Sequence, residues 1–265
     1  MFFLRNPFWI LLAFFLSTGI LQAGSHKWVA VFAKGTGYTS QAYDSRGDWR
    51  DLLYTVKQRK AQGYEITALE YGAGLWFAVF SKGTPFSDTQ LISTRDWDEL
   101  STIFNEKRHN GYKMIKIAHG SGRWVAIFAK YDRYFNQTIS QVRNWEDIDY
   151  VLKQNWKKGY DIIDIAHGQS SWILLFTKGT GYTNQRFTMA NKFAKFINIT
   201  RDKWDHGYRL ISVEYGYRRW MGIFAQHSPY TDQGYVSTKD WSDFNDEIKR
   251  RWRRGFHIVD VTEGW

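Results

Sequence analysis

A repeat of 48 residues constrains this chain more than any local motif, because a period of this length builds the whole fold from one unit. Three series of residues share this spacing, with no insertion or deletion between copies. The tryptophans are Trp28, Trp76, Trp124, Trp172 and Trp220. The phenylalanines are Phe32, Phe80, Phe128, Phe176 and Phe224. The glycines are Gly63, Gly111, Gly159, Gly207 and Gly255. The sequence therefore predicts five copies of one unit.

Each unit is predicted to contain three strands and a helix. Residues 160–165 alternate or run apolar after the glycine, residues 124–130 begin at the tryptophan and run apolar, and both patterns are typical of strands. A third strand begins near a recurring glutamine, which we expect to hydrogen bond to the preceding turn. These glutamines are Gln41, Gln137, Gln185 and Gln233, with Thr89 at that place in the second copy.

The helix has capping residues at both ends. A side chain suited to an N-cap precedes an aromatic residue at Asp48, Asp96, Asn144 and Asp240, while the fourth copy has Lys192 there and should begin less cleanly. An apolar stripe at helical spacing follows, such as Ile148, Leu152 and Trp156. The glycine after each helix is expected to be its left-handed C-terminal cap.

The phase of the repeat predicts how the chain closes. The first copy lacks its opening strand, and the C-terminus supplies a spare one at residues 256–263. If this strand pairs beside the strand of Trp28, no sheet edge stays open. The predicted fold is an α+β repeat: a closed five-fold, propeller-like ring of strand-strand-strand-helix units, with the last strand closing on the first. An open solenoid with capping repeats is the alternative.

The N-terminal segment predicts export. Arg5 precedes an apolar stretch, Phe8 to Leu16, and residues 21–23 suit a cleavage site, so residues 1–23 resemble a signal peptide. An uncleaved anchor remains the alternative. We expect residues 24–265 to form a single five-repeat domain, secreted or periplasmic, with no integral membrane span after cleavage. The absence of cysteine excludes a thiol nucleophile and any cysteine metal site.

The net charge of +10 favours either simple solubility or attraction to an anionic cell-envelope component, and it favours nucleic acid less in an exported chain. The 14 tryptophans would suit sugar stacking. Nearly all of them lie at a fixed phase of the repeat, however, which indicates a packing role.

The main candidate site is a position where the five copies differ while their neighbours do not; a tolerant surface position is the alternative. It closes the first strand of each unit, and symmetry would bring its members together at one mouth of the five-fold ring. These residues are Tyr71, His119, His167, Tyr215 and Glu263. A metal on His119 and His167 is a weaker alternative, because no carboxylate series accompanies them.

A second candidate set lies at the ends of the second strands and would receive an anionic group; solvated strand ends are the alternative. These residues are Lys34, Lys82, Lys130 and Lys178, with Gln226 in the fifth copy. The basic run 249–254 on the fifth helix is a further anionic-surface candidate. No nucleophile elbow, phosphate loop or zinc-protease motif is present, so no catalytic residue, metal or cofactor is predicted.

Residues 35–43, 179–185 and 251–258 resemble a repeat region that follows the catalytic domain of plant casein-kinase-I-like kinases and also occurs in bacterial exported proteins. The resemblance extends over all five copies. It implies a domain of unknown function and carries over no catalytic residue, and the kinase domain itself is absent from this sequence.

Taken together, these patterns favour an extracytoplasmic, non-catalytic binding module for a protein or an anionic envelope component. The alternatives are a hydrolase with its site at the mouth formed by the Tyr71 series, and a structural element of a larger assembly.

Overall fold

A computed structural model describes residues 27–265, so the predicted signal peptide, residues 1–23, lies outside the described residues. The first elements are β1 (Lys27–Lys34), β2 (Ser40–Arg46), α1 (Trp49–Ala61), β3 (Glu65–Gly72), β4 (Leu75–Lys82), β5 (Ser87–Thr94), α2 (Trp97–His109), β6 (Tyr112–Gly120), β7 (Arg123–Lys130) and β8 (Phe135–Val142). The remaining elements are α3 (Ile148–Lys157), β9 (Asp161–Gly168), β10 (Ser171–Lys178), β11 (Thr183–Ala190), α4 (Phe193–Asp205), β12 (Arg209–Gly216), β13 (Arg219–Gln226), β14 (Asp232–Thr238), α5 (Trp241–Arg253) and β15 (His257–Gly264).

The strands of this part of the chain form five three-stranded antiparallel sheets, each accompanied by a helix. Their strand orders are β2-β4-β3, β5-β7-β6, β8-β10-β9, β11-β13-β12 and β14-β1-β15. The strand that begins with the tryptophan is central in every sheet. The third strand of a sequence unit pairs in the sheet of the following unit, so each sheet takes its strands from two successive copies.

The two ends of the described chain share one sheet. β1 lies between β14 and β15, antiparallel to both, and Trp28 is opposite Thr238 on one side and Glu263 on the other. This is the pairing predicted from the missing first strand and the spare last one. In addition, each first strand contacts the first strand of the next unit, and β15 contacts β3.

The central strands are buried on both faces, which explains why they read as continuous apolar runs. Trp124, Ala126 and Phe128 face α2 together with Ile173 and Leu175 of the next sheet. Equivalent clusters combine neighbouring sheets elsewhere, and Val29 and Val31 of β1 pack against β12 and β13. The five predicted core tryptophans are confirmed as buried.

The helix ends agree with the predicted signals except at one start. Asp48, Asp96 and Asp240 accept hydrogen bonds from backbone N–H groups of the first helical turn. Asn144 makes no such bond, and residues 145–147 form a 3-10 turn before α3 begins at Ile148, so that N-cap prediction is wrong. The glycine after every helix has a positive φ, as predicted, from +74° to +80°.

A β-bulge interrupts every first strand at the same phase. In β9 the pairing steps from Ile162 to Asp164 and leaves Ile163 without a partner on β10. The bulged residues of the five copies are Thr67, Ile115, Ile163, Ile211 and Val259. Because a bulge re-aims the side chains around it, this irregularity determines which residues face the neighbouring first strands.

Candidate functional site

Tyr71, His119, His167, Tyr215 and Glu263, which we call the Tyr71 series, lie on successive first strands. Their side chains have a packing role. Each side chain covers the glycine that closes the first strand of the next unit: a Cβ added at Gly168 would lie 2.1 Å from Cγ of His119, and one at Gly216 would lie 2.3 Å from Cγ of His167. Tyr71 covers Gly120 and Tyr215 covers Gly264 in the same way, and Glu263 covers Gly72. The five side chains therefore follow one another in the order of the first strands.

The two histidines of this series are neutral at neutral pH. Each ring packs against the tryptophan of its own sheet, with centroids 4.8 Å apart for His119 and Trp124 and 4.6 Å for His167 and Trp172. Burial lowers the pKa of His119, and burial together with the nearby His119 lowers the pKa of His167 to about 4. Among the described residues, no group of three or more His, Asp or Glu side chains is arranged to hold a metal ion.

The lysine series lies on aromatic rings in four separate sheets. The Nζ atom of Lys130 is 4.1 Å from the ring centroid of Tyr112 and donates to the carbonyl of Asn110, just after α2. The other pairs are Lys34 with Phe256, Lys82 with Tyr64 and Lys178 with Tyr160. Because a cation over a ring face contributes locally, each lysine acts within its own sheet, and the series does not converge on one anion.

The basic run on α5 is a surface of mixed charge. Arg250 and Arg251 both contact the Glu247 carboxylate, at 2.6 Å and 3.2 Å. Lys249, Arg250 and Arg253 share a shallow groove with Asp243, Asp246 and Glu247. The acidic neighbours reduce the attraction of this surface for an anionic polymer.

The repeated glutamines have a role different from the predicted one. Gln185 donates to the carbonyl of Ile162 and accepts from the N–H of Ile162, both at the bulge of β9, and it also accepts from the indole of Trp156. Gln41, Gln137 and Gln233 make the same pair of backbone bonds with Ile258, Met114 and Leu210. They tie one sheet to the bulged strand of its neighbour and not to a turn, so that prediction is wrong.

A cavity of about 140 Å³ lies at the end of the first strands opposite to the Tyr71 series. All five bulged residues line it, together with loops that follow the second strands. One aromatic residue from each loop occurs at the 48-residue spacing, and we call this set the aromatic collar: Tyr38, Phe86, Tyr134, Tyr182 and Tyr230. We call this space the tyrosine cavity. No member of the Tyr71 series lines it.

The third loop differs most from the others. Tyr131 and Arg133 stand where the first and fourth copies have glycines, and both line the tyrosine cavity. Arg133 donates to the carbonyls of Gly179 and Thr180 in the next loop, at 3.1 Å and 2.5 Å. Gly181 leaves the space for this guanidinium, since a Cβ there would lie 2.7 Å from it.

Lys116 and Asp164, which follow their bulges, form the floor of the cavity. The Nζ atom of Lys116 donates to Asp164 at 2.7 Å and to Asp260 at 2.5 Å, and all three side chains are buried. Asp164 accepts in addition from the Ile117 N–H and the Ser212 hydroxyl, and Asp260 accepts from the Val213 N–H. Burial alone would lower the pKa of Lys116, but the two carboxylates raise it, so the amine is charged.

A second polar layer lies two residues further along the first strands. Glu70 and Glu214 are both buried there, and Ala118 and Ala166 occupy the same phase in other copies. Burial raises the pKa of Glu70 to about 8 in spite of Lys116, and it raises the pKa of Glu214 well above its ordinary value. The carboxyl group of Glu70 is therefore largely protonated at neutral pH, and burial favours the protonated form of Glu214 as well.

The aromatic collar and the charged floor were both missed by the sequence prediction, although the repeat contains signals for them. The collar is a complete aromatic series at one phase. The residues of the charged floor share one phase of the repeat. The five copies have Ala68, Lys116, Asp164, Ser212 and Asp260 at this phase. Charged residues within an otherwise apolar first strand were the sequence signal for the charged floor. The bulge that turns these residues toward one another cannot be recognised from the sequence.

Comparison with known families agrees with the resemblance to a domain of unknown function. Residues 141–264, from the end of β8 to β15, match the family model of a domain of unknown function, DUF7477. A comparison with curated proteins found no match. Within residues 27–265, no helix has the length and apolar character needed to cross a membrane.

Proposed function

We propose that the five sheets form a closed five-fold ring that acts outside the cytoplasm as a non-catalytic binding module. Its partner is a protein or an anionic envelope component, and it docks over the mouth of the tyrosine cavity. The predicted export, the bacterial relationship and the ring itself are parts of this proposal.

The ion pairs of Lys116 support the ring. Asp164 lies on β9 and Asp260 on β15, so the amine of β6 bonds both to the next first strand and to the last first strand of the chain. The contact of β15 with β3 and the packing of Glu263 over Gly72 support the same closure. Small-angle scattering tests it: a closed ring predicts a radius of gyration of about 18 Å, the value for a compact chain of this size, whereas an open arc gives a larger one.

The main support for a binding function is the convergence of five loops, one from each repeat, on a single cavity. Loops on a rigid scaffold are the usual place for binding residues, and these loops differ in sequence while the strands beneath them repeat. The charged groups at the floor are paired with one another. Such pairing suits a structural role for these groups.

Binding of the purified protein to envelope fractions tests this function. We expect binding that weakens between 50 mM and 500 mM salt if the partner is anionic, and binding that survives salt if the partner is a protein held by apolar contacts. Phe135→Ser, at an exposed residue that follows Tyr134 of the aromatic collar, should reduce binding, whereas Tyr150→Ser, exposed on α3, serves as the control. Absence of binding under both conditions, or equal loss in the two variants, contradicts the proposal.

A further inference from the structure

The hydroxyl groups of the aromatic collar have no protein partner. In the described part of the chain, the phenol oxygens of Tyr38, Tyr134, Tyr182 and Tyr230 make no hydrogen bond, although their rings are packed into the cavity wall and only partly exposed. Burial and the neighbouring tyrosines raise the pKa of each above its ordinary value, so all four remain protonated. Each hydroxyl can therefore both donate and accept a hydrogen bond.

The floor adds one donor in a fixed position. An ammonium group has three hydrogens, and Lys116 uses two of them on Asp164 and Asp260. The third remains for an oxygen atom inside the cavity. Arg133 at the rim likewise keeps N–H groups beyond the two that bond to Gly179 and Thr180.

The formal charges of the cavity cancel. Lys116 and Arg133 are balanced by Asp164 and by Asp260, which contacts Lys116. A ligand of either charge would upset this balance and leave a net charge in a largely buried space. A buried net charge is costly, so a neutral ligand fits this cavity best.

We propose that the tyrosine cavity binds one neutral sugar ring. A cavity of about 140 Å³ is on the scale that admits a single benzene molecule, so it receives the body of one six-membered ring while the hydroxyl groups of the larger sugar extend toward the loops. Its C–H faces lie against the bulged aliphatic residues and the collar, and its peripheral hydroxyls pair with the phenols and Lys116. The proposal shares only the location of the mouth with the proposed function, and either one stands if the other fails.

Calorimetry and ligand-observed NMR with the purified protein provide the test. The probes are neutral hexoses and N-acetylhexosamine, their charged relatives glucosamine and glucuronate, methyl glycosides, and oligosaccharides of two to four units. We expect at least one neutral sugar to bind with a Kd on the order of 1 mM and the charged analogue to bind at least tenfold more weakly. No binding of any neutral sugar at 50 mM, or a preference for a charged analogue, overturns the proposal.

Variants that lack only the phenol oxygen locate the site. Tyr182→Phe and Tyr230→Phe should each weaken binding by about five- to tenfold, the scale of one hydrogen bond. Phenylalanine already occupies this phase at Phe86, so the change suits the packing. The control is Tyr150→Phe on α3, where the side chain is 66% exposed. Unchanged affinity in both collar variants overturns the proposal.

The glycosides and oligosaccharides distinguish the source of the sugar. Tighter binding of oligosaccharides assigns the cavity to the end of a glycan chain. Binding of the free sugar and loss of binding in its methyl glycoside assign it to a free monosaccharide. Either result supports a neutral sugar as the ligand, and the binding assay with envelope fractions reports separately on the macromolecular partner.

Discussion

Lys116 is joined to Asp164 by an ion pair of 2.7 Å, although the two residues occupy the same phase of successive repeats. The repeat thus places opposite charges on adjacent first strands, where both side chains are buried. We expect Lys116→Met to destabilise the protein by about 3 kcal/mol or more, because it leaves two carboxylates buried without their cation. Urea unfolding monitored by tryptophan fluorescence measures this loss.

The matched control for that change removes the charges on both sides. The triple variant Lys116→Met, Asp164→Asn, Asp260→Asn should recover most of the lost stability, since its buried amides need no counter-charge and still accept the bonds from Ile117 and Val213. A triple variant as unstable as the single one would show that shape, and not charge, determines the effect.

The glycine that closes each first strand should tolerate no Cβ. Gly168→Ala places a methyl group against the His119 ring, and we expect a loss of about 2 kcal/mol from overpacking. Gly47→Ala is the control, because its added Cβ has no neighbour closer than 3.9 Å and should change stability by less than about 0.5 kcal/mol. Thermal melts of both variants are compared with the parent, and equal melts would refute the packing role.

The glutamines that bridge four of the five bulges are expected to contribute more to stability than glutamines with exposed side chains. Gln185→Ala leaves the N–H and C=O of Ile162 and the indole N–H of Trp156 without partners, so we expect a loss of about 2–4 kcal/mol. Gln141→Ala, which removes one bond from an exposed side chain to Ser171, should cost less than about 1 kcal/mol. Chemical denaturation ranks the two, and a reversed order would be evidence against the bridge.

Glu70 should make stability depend on pH. Its folded-state pKa of about 8 exceeds the ordinary value of 4.5, so the folded protein holds a proton that the unfolded chain releases. The stabilisation is complete below about pH 4.5 and is lost as the pH rises through 8. Lys116, Glu214, Asp164 and Asp260 surround this carboxyl group, and Lys116 opposes the effect.

A neutral isostere isolates this contribution. The stability advantage of Glu70→Gln over the parent should grow between pH 5 and pH 8 in denaturation series at fixed ionic strength. Glu99→Gln, exposed on α2, should leave the pH slope unchanged. A constant difference between Glu70→Gln and parent across this range would mean that Glu70 is ionised throughout.

Much of the fold was predictable because its determinants are periodic and local. The tryptophan strands, the helix caps at Asp96 and Asp240, and the pairing of β15 with β1 all follow from residue type and phase. The 3-10 turn after Asn144 was not predictable, since its sequence has the same capping pattern as the other copies. The partner of Gln185 also lies in another sheet, so local sequence could not identify it.

The candidate site was harder to predict because it depends on where the strands bulge. The copies differ both at the phase of His119, which the sequence prediction selected, and at that of Lys116, three residues earlier on the same strand. The side chain of His119 turns onto the next glycine, whereas that of Lys116 turns toward Asp164 and Asp260. The bulge at Ile115 precedes both residues, and the alternation of side chains along the strand then places Lys116 and His119 on opposite faces.

The placement of β1 between β14 and β15 has a consequence for biosynthesis. Within the described chain, β1 is the first strand to leave the ribosome, and both of its partners are made last, about 200 residues later. Until then its apolar residues have no sheet to join, and such exposed strands are prone to aggregation. A chain that terminates before β14 can complete the other four sheets, but β1 stays without its two partner strands. The first strand of the described chain is thus paired on both sides only when synthesis is complete.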